Sequence, residues 1–317
     1  MKKQTVIITG ANSGIGKSAT RLFADAGFSV IMACRNIEKS EPVRKEIVEI
    51  SGNPQVQLMP LDISSFHSIR TFCDRFDEKY DQLDILIHNA AYFSHGSPYK
   101  LSEDGLELTF ATNLFGPFLM TMELHDLLKK SDTPKILMAG SNIIKHFFNP
   151  KLAVNLNNLR GENPDDSSFK VYNQYRDSKM ALFMISRRFA DYFQPDGIRV
   201  NMLQINGATM SEEALQKVTP GYRMIARIQN LFFRPPEFMA KHYFEICTSD
   251  KFKDVSGKLI NHKQQVMQSS KKHPGIANQV RQLAGAVYYP NYAEGRQAQD
   301  EIWNFCLNVT GLDTEDR

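Results

Sequence analysis

Thr9-Gly10-Ala11-Asn12-Ser13-Gly14-Ile15-Gly16 is the stretch that decides how this chain folds. The apolar run Val6-Ile7-Ile8 precedes it, and beyond it Ile15, Ala19, Leu22, Phe23 and Ala26 recur at helical spacing. A strand therefore feeds a helix through a glycine turn. Without a Cβ the backbone bends sharply there and can approach a pyrophosphate, while the free amides of the helix start supply donors and positive potential. Glycine serves many turns, but a strand, this turn and a helix in that order point to a dinucleotide site.

Composition narrows the alternatives. The 38 Lys and Arg against 35 Asp and Glu give a formal charge of +3, too small and too scattered for nucleic acid. Cys34, Cys73, Cys247 and Cys306 lie far apart, with neither a metal-ligand spacing nor a disulfide framework, and read as reduced core thiols. No metal is predicted. The first strand leaves no room for a signal peptide, and no apolar run approaches the roughly 18 residues of a membrane span. The expectation is a soluble, cytoplasmic protein.

The following segments alternate strand and helix. Phe28–Ala33 reads as a strand ending in Cys34-Arg35-Asn36, where a dinucleotide fold meets the adenosine ribose. A carboxylate there would accept hydrogen bonds from a 2′-hydroxyl, whereas the guanidinium of Arg35 suits a 2′-phosphate. That favours NADP(H) over NAD(H), with Lys17 as a second phosphate contact. A polar helix over 37–50 and a strand Val56–Leu61 lead to Asp62 and Ile63, with Pro60 unlike a central strand. Ser64 or Ser65 then caps a helix burying Phe66, Ile69, Phe72, Cys73 and Phe76, and the strand Leu83–Ile87 closes on His88-Asn89-Ala90-Ala91. The pattern predicts an α/β fold, a single doubly wound parallel sheet with helices on both faces. Ligands of such sheets lie beyond the strands' carboxyl ends, where Asp62 and Asn89 to Ala91 fall. His88 reads as a satisfied core histidine.

A long helical pattern runs from Ser102 to Lys130, with Asn113 and Gly116 inside it demanding a kink or a ligand contact. The strand Lys135–Ala139 ends in Gly140-Ser141-Asn142, which points Ser141 into the same crevice, and 143–170 reads as a polar surface excursion. On the next helix, from Val171 to about Phe193, Tyr175 and Lys179 are four apart and share one face. A neighbouring ammonium favours the phenolate, making Tyr175 a candidate general acid in carbonyl reduction and general base in reverse.

With these residues in this order, the chain resembles the short-chain dehydrogenase/reductase family from Thr5 to about Ser211. Met32-Ala33-Cys34-Arg35-Asn36, Asn158-Leu159-Arg160-Gly161-Glu162 and Ile302-Trp303-Asn304 are similar to its retinol dehydrogenase and protochlorophyllide reductase branch. The resemblance implies a Rossmann fold and assigns roles. Tyr175 is the proton donor or acceptor, Ser141 binds the substrate oxygen, Lys179 binds the nicotinamide ribose and tunes Tyr175, and Asn113 holds a relay water. NADP(H) would lie along Gly10, Asn12, Ser13, Gly14, Ile15 and Gly16. Arg35 would meet its ribose phosphate and Asp62 its adenine, with Asn36 and Ile63 as further cofactor contacts, Asn89, Ala90 and Ala91 would form its flank, and Asn206, Gly207 and Thr209 the turn on its carboxamide side. Homo-oligomers pairing through the helices of Asn113 and Tyr175 are also implied.

The departures are specific. The family usually has Pro-Gly after the sixth strand, Ile198–Ile205, where this chain has Asn206-Gly207-Ala208-Thr209, which loosens the turn. The branch's pigment-site cysteines are missing after Lys179, which disfavours its photochemistry, and the membrane anchor common among retinol dehydrogenases is expected to be absent.

Residues 4–210 thus read as the cofactor-binding and catalytic core of one domain over 1–317, followed by a substrate lid region at 211–250 and a C-terminal extension at 262–317. In the lid region Met224, Ile225, Ile228, Leu231 and Phe232 form an apolar stripe near Arg223, Arg227 and Arg234. Three readings compete for it: a small helical lid over a lipophilic small-molecule substrate, a peripheral membrane contact, and ordinary packing. A helix Glu237–Thr248, a last strand Gly257–Asn261 and a polar tail with a helix near 301–307 complete the chain. The leading expectation is an NADP(H)-dependent oxidoreductase for alcohols and carbonyls. A cofactor-binding scaffold without turnover and a biosynthetic tailoring reductase are the alternatives.

Overall fold

A computed structural model of the chain describes residues 3–94, 96–162, 169–207, 209, 212–216, 220–230, 233–271 and 287–312. Strand β1 (Thr5–Thr9) runs through the glycine turn into α1 (Gly14–Asp25), followed by β2 (Ser29–Cys34), α2 (Ile37–Ser51), β3 (Val56–Pro60), α3 (Phe66–Asp77) and β4 (Ile85–His88). After β5 (Lys135–Ala139) come α7 (Val171–Tyr192), β6 (Arg199–Leu203) and β7 (Lys258–Ile260). The seven strands pair in parallel in the order β3-β2-β1-β4-β5-β6-β7, with Val6 opposite Val30 on one side and Ile85 on the other.

Because both faces are covered, the central strands are apolar without alternation. Ile7, Ile31, Leu86 and Met138 face the layer that holds α3 and α7, while Val6, Ile8, Val30 and Ile87 face the layer of α1 and α10 (Pro236–Thr248). Pro60 finds its explanation in position. β3 is the sheet edge, so the missing amide hydrogen of proline breaks no ladder on the outer side.

The predicted Ser102–Lys130 helix is shorter and broken. Residues 101–107 close a turn with a bridge between Leu101 and Glu107, and the buried Glu107 carboxylate caps α4 (Leu108–Phe110) by accepting from the Phe110 amide. A π turn (Ala111–Phe115) then carries Asn113 into α5 (Gly116–Glu123), and the chain bends at Leu124 before α6 (His125–Lys129). The 143–170 segment is no purely polar excursion either. A 3₁₀ stretch (Asn142–Phe148) buries Ile143, Ile144 and Phe147, and Val154 and Leu159 follow them into the core.

Beyond β6 the region over 211–250 forms α8 (Glu212–Gln216) and α9 (Pro220–Asn230). Met224 and Ile228 of the apolar stripe are exposed there, while Ala226 beside them is buried. Leu231, Phe232 and the Ile225 side chain lie outside the described residues. The tail adds a short parallel pair, β8 (Gln268–Ser269) with β9 (Tyr288–Tyr289), which the sequence reading did not foresee, and its helix α11 (Arg296–Thr310) is longer than predicted. That helix is not a polar appendage. Trp303 sits edge-on to Phe118 of α5 and Phe189 of α7, each at 5.1 Å, and Ile302 and Cys306 are wholly buried. The helix pair implied as a subunit contact is thus covered, around Phe118 and Phe189, by the chain's own α11.

Candidate active site

The site begins where β1 ends. Gly10 and Gly14 both take positive φ, +65° and +51°, a region open to glycine and strained for other residues. Gly16 serves packing instead, since a Cβ there would lie 2.3 Å from the Gly10 carbonyl oxygen. Ser13 stands at the N-cap of α1 with no side-chain capping bond, so the first-turn amides of Gly14, Ile15 and Gly16 remain donors for a ligand. The Ile15 side chain itself packs on the core.

Asn89 and Thr9 lock this turn to β4. The Asn89 amide nitrogen donates to the carbonyls of Thr9 (2.9 Å) and Gly10 (3.3 Å), and Thr9 Oγ1 accepts from the amides of Asn89 and Ala90. The buried Tyr243 hydroxyl of α10 donates to Asn89 Oδ1 at 3.3 Å.

A cleft of about 690 Å³ opens above these strand ends. It brings together Gly10, Asn12, Ser13, Arg35, Asn36, Asp62, Ile63, Asn89, Ala90 and Ala91 of the predicted residues. Asn12 and Asn36 build its wall. Asn12 donates to the buried Ser40, and Asn36 caps α2 by accepting from the Lys39 amide. Arg35 is 75% exposed and lies 3.7 Å from Asp62, whose other oxygen accepts from Ser64. Such an exposed pair contributes about 0–1 kcal/mol, so a phosphate can displace it. Lys39, in the first turn of α2, also lines the cleft and was missed by the sequence reading; a second cation three residues past Asn36 was the available signal. Lys17 pairs with Glu46 at 2.8 Å and belongs to a neighbouring cavity of about 730 Å³ with Ser13, Gly14 and Thr209.

The other predicted cluster stands at β5 and α7. The Lys179 ammonium is buried, donates to the Ala139 carbonyl at 2.9 Å and lies 5.9 Å from the centre of the Tyr175 ring. Burial pushes its pKa down to about 8. Tyr175 is half-buried, with the Phe93 ring tilted against it at 4.7 Å. Ser141 is buried at the end of β5, its hydroxyl accepting from the Ile143 amide. Asn113, wholly buried, accepts from the Tyr92 amide at 2.8 Å and donates to the Tyr92 carbonyl and to Ser178. Ser178 in turn donates to the Tyr175 carbonyl, which ties the π turn to α7 beside Tyr175. This strap needs residues 92, 113 and 178 in one place, and no local signal announces it.

His88 lies in the core as read, with Nε2 2.8 Å from Thr121 Oγ1, but its Nδ1 has no partner among the described residues. Burial, aided by Lys179, pushes its pKa down to about 3 and keeps it neutral. At the end of β6, Gly207 has φ +108° under the Phe233 ring, Thr209 donates to the Arg234 carbonyl, and Asn206 faces His262. The wholly buried Gln204 was also missed. Its amide atoms have no partner among the described residues, and the only sequence signal is one polar residue closing an apolar strand.

The open first-turn amides, the positive-φ glycines and the orphaned amide atoms of Gln204 and Asn206 all fit a nicotinamide dinucleotide laid across the strand ends. A family model described as short chain dehydrogenase matches residues 4–149. Retinol dehydrogenase 13 of Mus musculus is 31% identical over 264 residues, covering 81% of this chain and 75% of that protein. Retinol dehydrogenase 14 of Homo sapiens is 32% identical over 277 residues, with 82% and 78% covered. A solved short chain dehydrogenase from Shigella flexneri, complexed with NADP, aligns at TM-score 0.64 and 22% identity over 83% of this chain and 98% of its own. Sequence likeness across four-fifths of the chain, on the same parallel sheet, makes the assignment plain: this chain belongs to the short-chain dehydrogenase/reductase family and is an oxidoreductase.

Proposed function

We propose that this chain is an NADP(H)-dependent oxidoreductase that interconverts an alcohol and a carbonyl on a lipophilic small molecule, with Tyr175 as general acid and base. One observation carries the reading: a buried ammonium, Lys179, held under the Tyr175 ring by the Ala139 carbonyl. A charge that burial brings near release at pH 8 favours the phenolate form of its neighbour. When bound, the nicotinamide supplies or accepts the hydride. In reduction, the Tyr175 hydroxyl gives its proton to the carbonyl oxygen, Ser141 donates a hydrogen bond to that oxygen, and Lys179 stabilises the phenolate left behind. The same groups act in reverse on an alcohol.

Asn113 positions α7 through Ser178. Its amide hydrogens are used on Tyr92 and Ser178, so a relay water would use its oxygen or main chain. Arg35 and Lys39 at the cleft rim favour a 2′-phosphate, and the NADP complex of the Shigella flexneri neighbour supports that choice. The retinol dehydrogenases among the relatives, the Phe93 ring beside Tyr175 and the apolar residues of α9 support a lipophilic substrate. Four free, buried cysteines support a cytoplasmic setting, and no helix among the described residues is long and apolar enough to cross a membrane.

The test is turnover of NADPH with a panel of lipophilic aldehydes and ketones. Tyr175→Phe should lower the rate by roughly 10²- to 10⁴-fold while calorimetric NADP⁺ affinity stays at the wild-type value. Normal turnover by that variant would remove Tyr175 from the chemistry.

A further inference from the structure

A polar cluster with a defined hydrogen-bond direction lies past the carboxyl ends of β6 and β7. Asn206 Nδ2 is 2.6 Å from His262 Nδ1, and Asn206 Oδ1 is buried with no partner among the described residues. Behind them, His242 Nε2 of α10 is 2.7 Å from the His262 carbonyl oxygen. A carbonyl only accepts, so His242 carries a proton on Nε2, and its Nδ1 is buried with no partner among the described residues. An amide nitrogen only donates, so His262 Nδ1 must accept, and the His262 ring is neutral with its proton on Nε2. The surroundings enforce that state. Burial first, then Lys263 beside it, His242 of α10 and Lys145 of the 3₁₀ stretch, lower the His262 pKa.

The state of His262 sets which end of the Asn206 amide is left without a partner. A neutral Nδ1 holds the amide NH₂ and leaves Oδ1 to accept elsewhere; a protonated ring would hold Oδ1 and leave the NH₂ in its place. A buried acceptor without a donor is costly, and it marks where a ligand donor belongs. Gly207 follows at once, pinned under Phe233. We propose that His262, braced by His242, is a positioning residue that orients Asn206 so that its Oδ1 accepts a hydrogen bond from the carboxamide NH₂ of the nicotinamide. The proposal rests on the reading that the dinucleotide binds across these strand ends.

Calorimetry with NADP⁺ and with its 3-acetylpyridine analogue, in which a methyl replaces the amide NH₂, tests both levels. The ratio of the two affinities cancels everything the shared adenosine half contributes. Wild type should bind NADP⁺ about five- to tenfold tighter at pH 7.5. That preference should fade as pH falls below the ordinary histidine value of 6.5, since protonation of His262 turns the amide. His262→Phe should bind both dinucleotides alike at every pH. His262→Asn keeps an acceptor at the Nδ1 position without a titrating ring, so it should keep the preference and lose its pH dependence. An undiminished preference in His262→Phe, or an acid-side loss that survives in His262→Asn, would overturn the latch. Equal binding of both dinucleotides by wild type overturns the latch alone, while binding of neither overturns the cofactor reading as well.

Discussion

Lys179 shows what the burial of a single ammonium costs a fold. Its ammonium is 2% exposed, and burial lowers its pKa from 10.5 to about 8. The unfolded chain therefore binds this proton more tightly than the folded one, and between about pH 8 and 10.5 the stability contributed at this site rises with pH. Lys179→Met should accordingly raise the melting temperature relative to wild type most below pH 8, with the advantage shrinking towards pH 10.5, while turnover collapses. A constant difference across that range, followed by circular dichroism, would show that the lysine keeps its ordinary pKa in the fold, as a solvated ammonium does. At the cleft rim, Arg35→Ser should weaken NADP⁺ about tenfold, a value discounted for its exposure, and leave NAD⁺ binding unchanged. The placement of these residues was legible in the sequence because it depends on near neighbours: Tyr175 and Lys179 are one helical turn apart, and Arg35 directly follows a strand. Asn206 was legible only as a departure, because its partner His262 lies 56 positions away.

Among the elements, the π turn between α4 and α5 has the clearest local cause. Gly116 presses against the loop after β3 so closely that a Cβ would sit 1.9 Å from the Ile63 carbonyl oxygen. Asn113, three residues earlier, is drawn towards Tyr92. The helix widens by one residue to satisfy both demands, which is how an asparagine and a glycine are accommodated within it. Gly116→Ala should cost about 3 kcal/mol or more in denaturant unfolding, since the clash is with main chain rather than a flexible side chain. A loss below 1 kcal/mol would mean that α5 can slide on α3 without penalty. The sequence announced that something interrupts this helix but not its form, because helical spacing survives a single inserted residue. Residues 101–107 were misassigned for a related reason: the buried Glu107 that starts the helix is an acidic residue indistinguishable by spacing from one on a solvated face.

At the scale of the whole molecule, α11 closes over α5 and α7, and its Trp303 fills the angle between Phe118, Phe189 and Tyr192. Trp303→Ala should cost about 3–5 kcal/mol. A chain truncated after Gly295 should expose these rings and self-associate, whereas light scattering of the intact chain should detect no pairing through this face. Unchanged scattering on truncation would show that α11 is dispensable to the α5–α7 surface.

What the amino-acid order determined alone is whatever rests on short-range geometry: an unbroken apolar strand, a turn only glycine can make, a tyrosine and a lysine one turn apart, and alternating elements that can close only as a parallel sheet. Tertiary structure decided the rest. It chose the edge position that tolerates Pro60, the strap from Asn113 to Ser178, the Asn206–His262 contact and the docking of α11. Each depends on groups distant in the chain that meet only after folding, and their hydrogen bonds and burial carry no periodicity that a sequence can display.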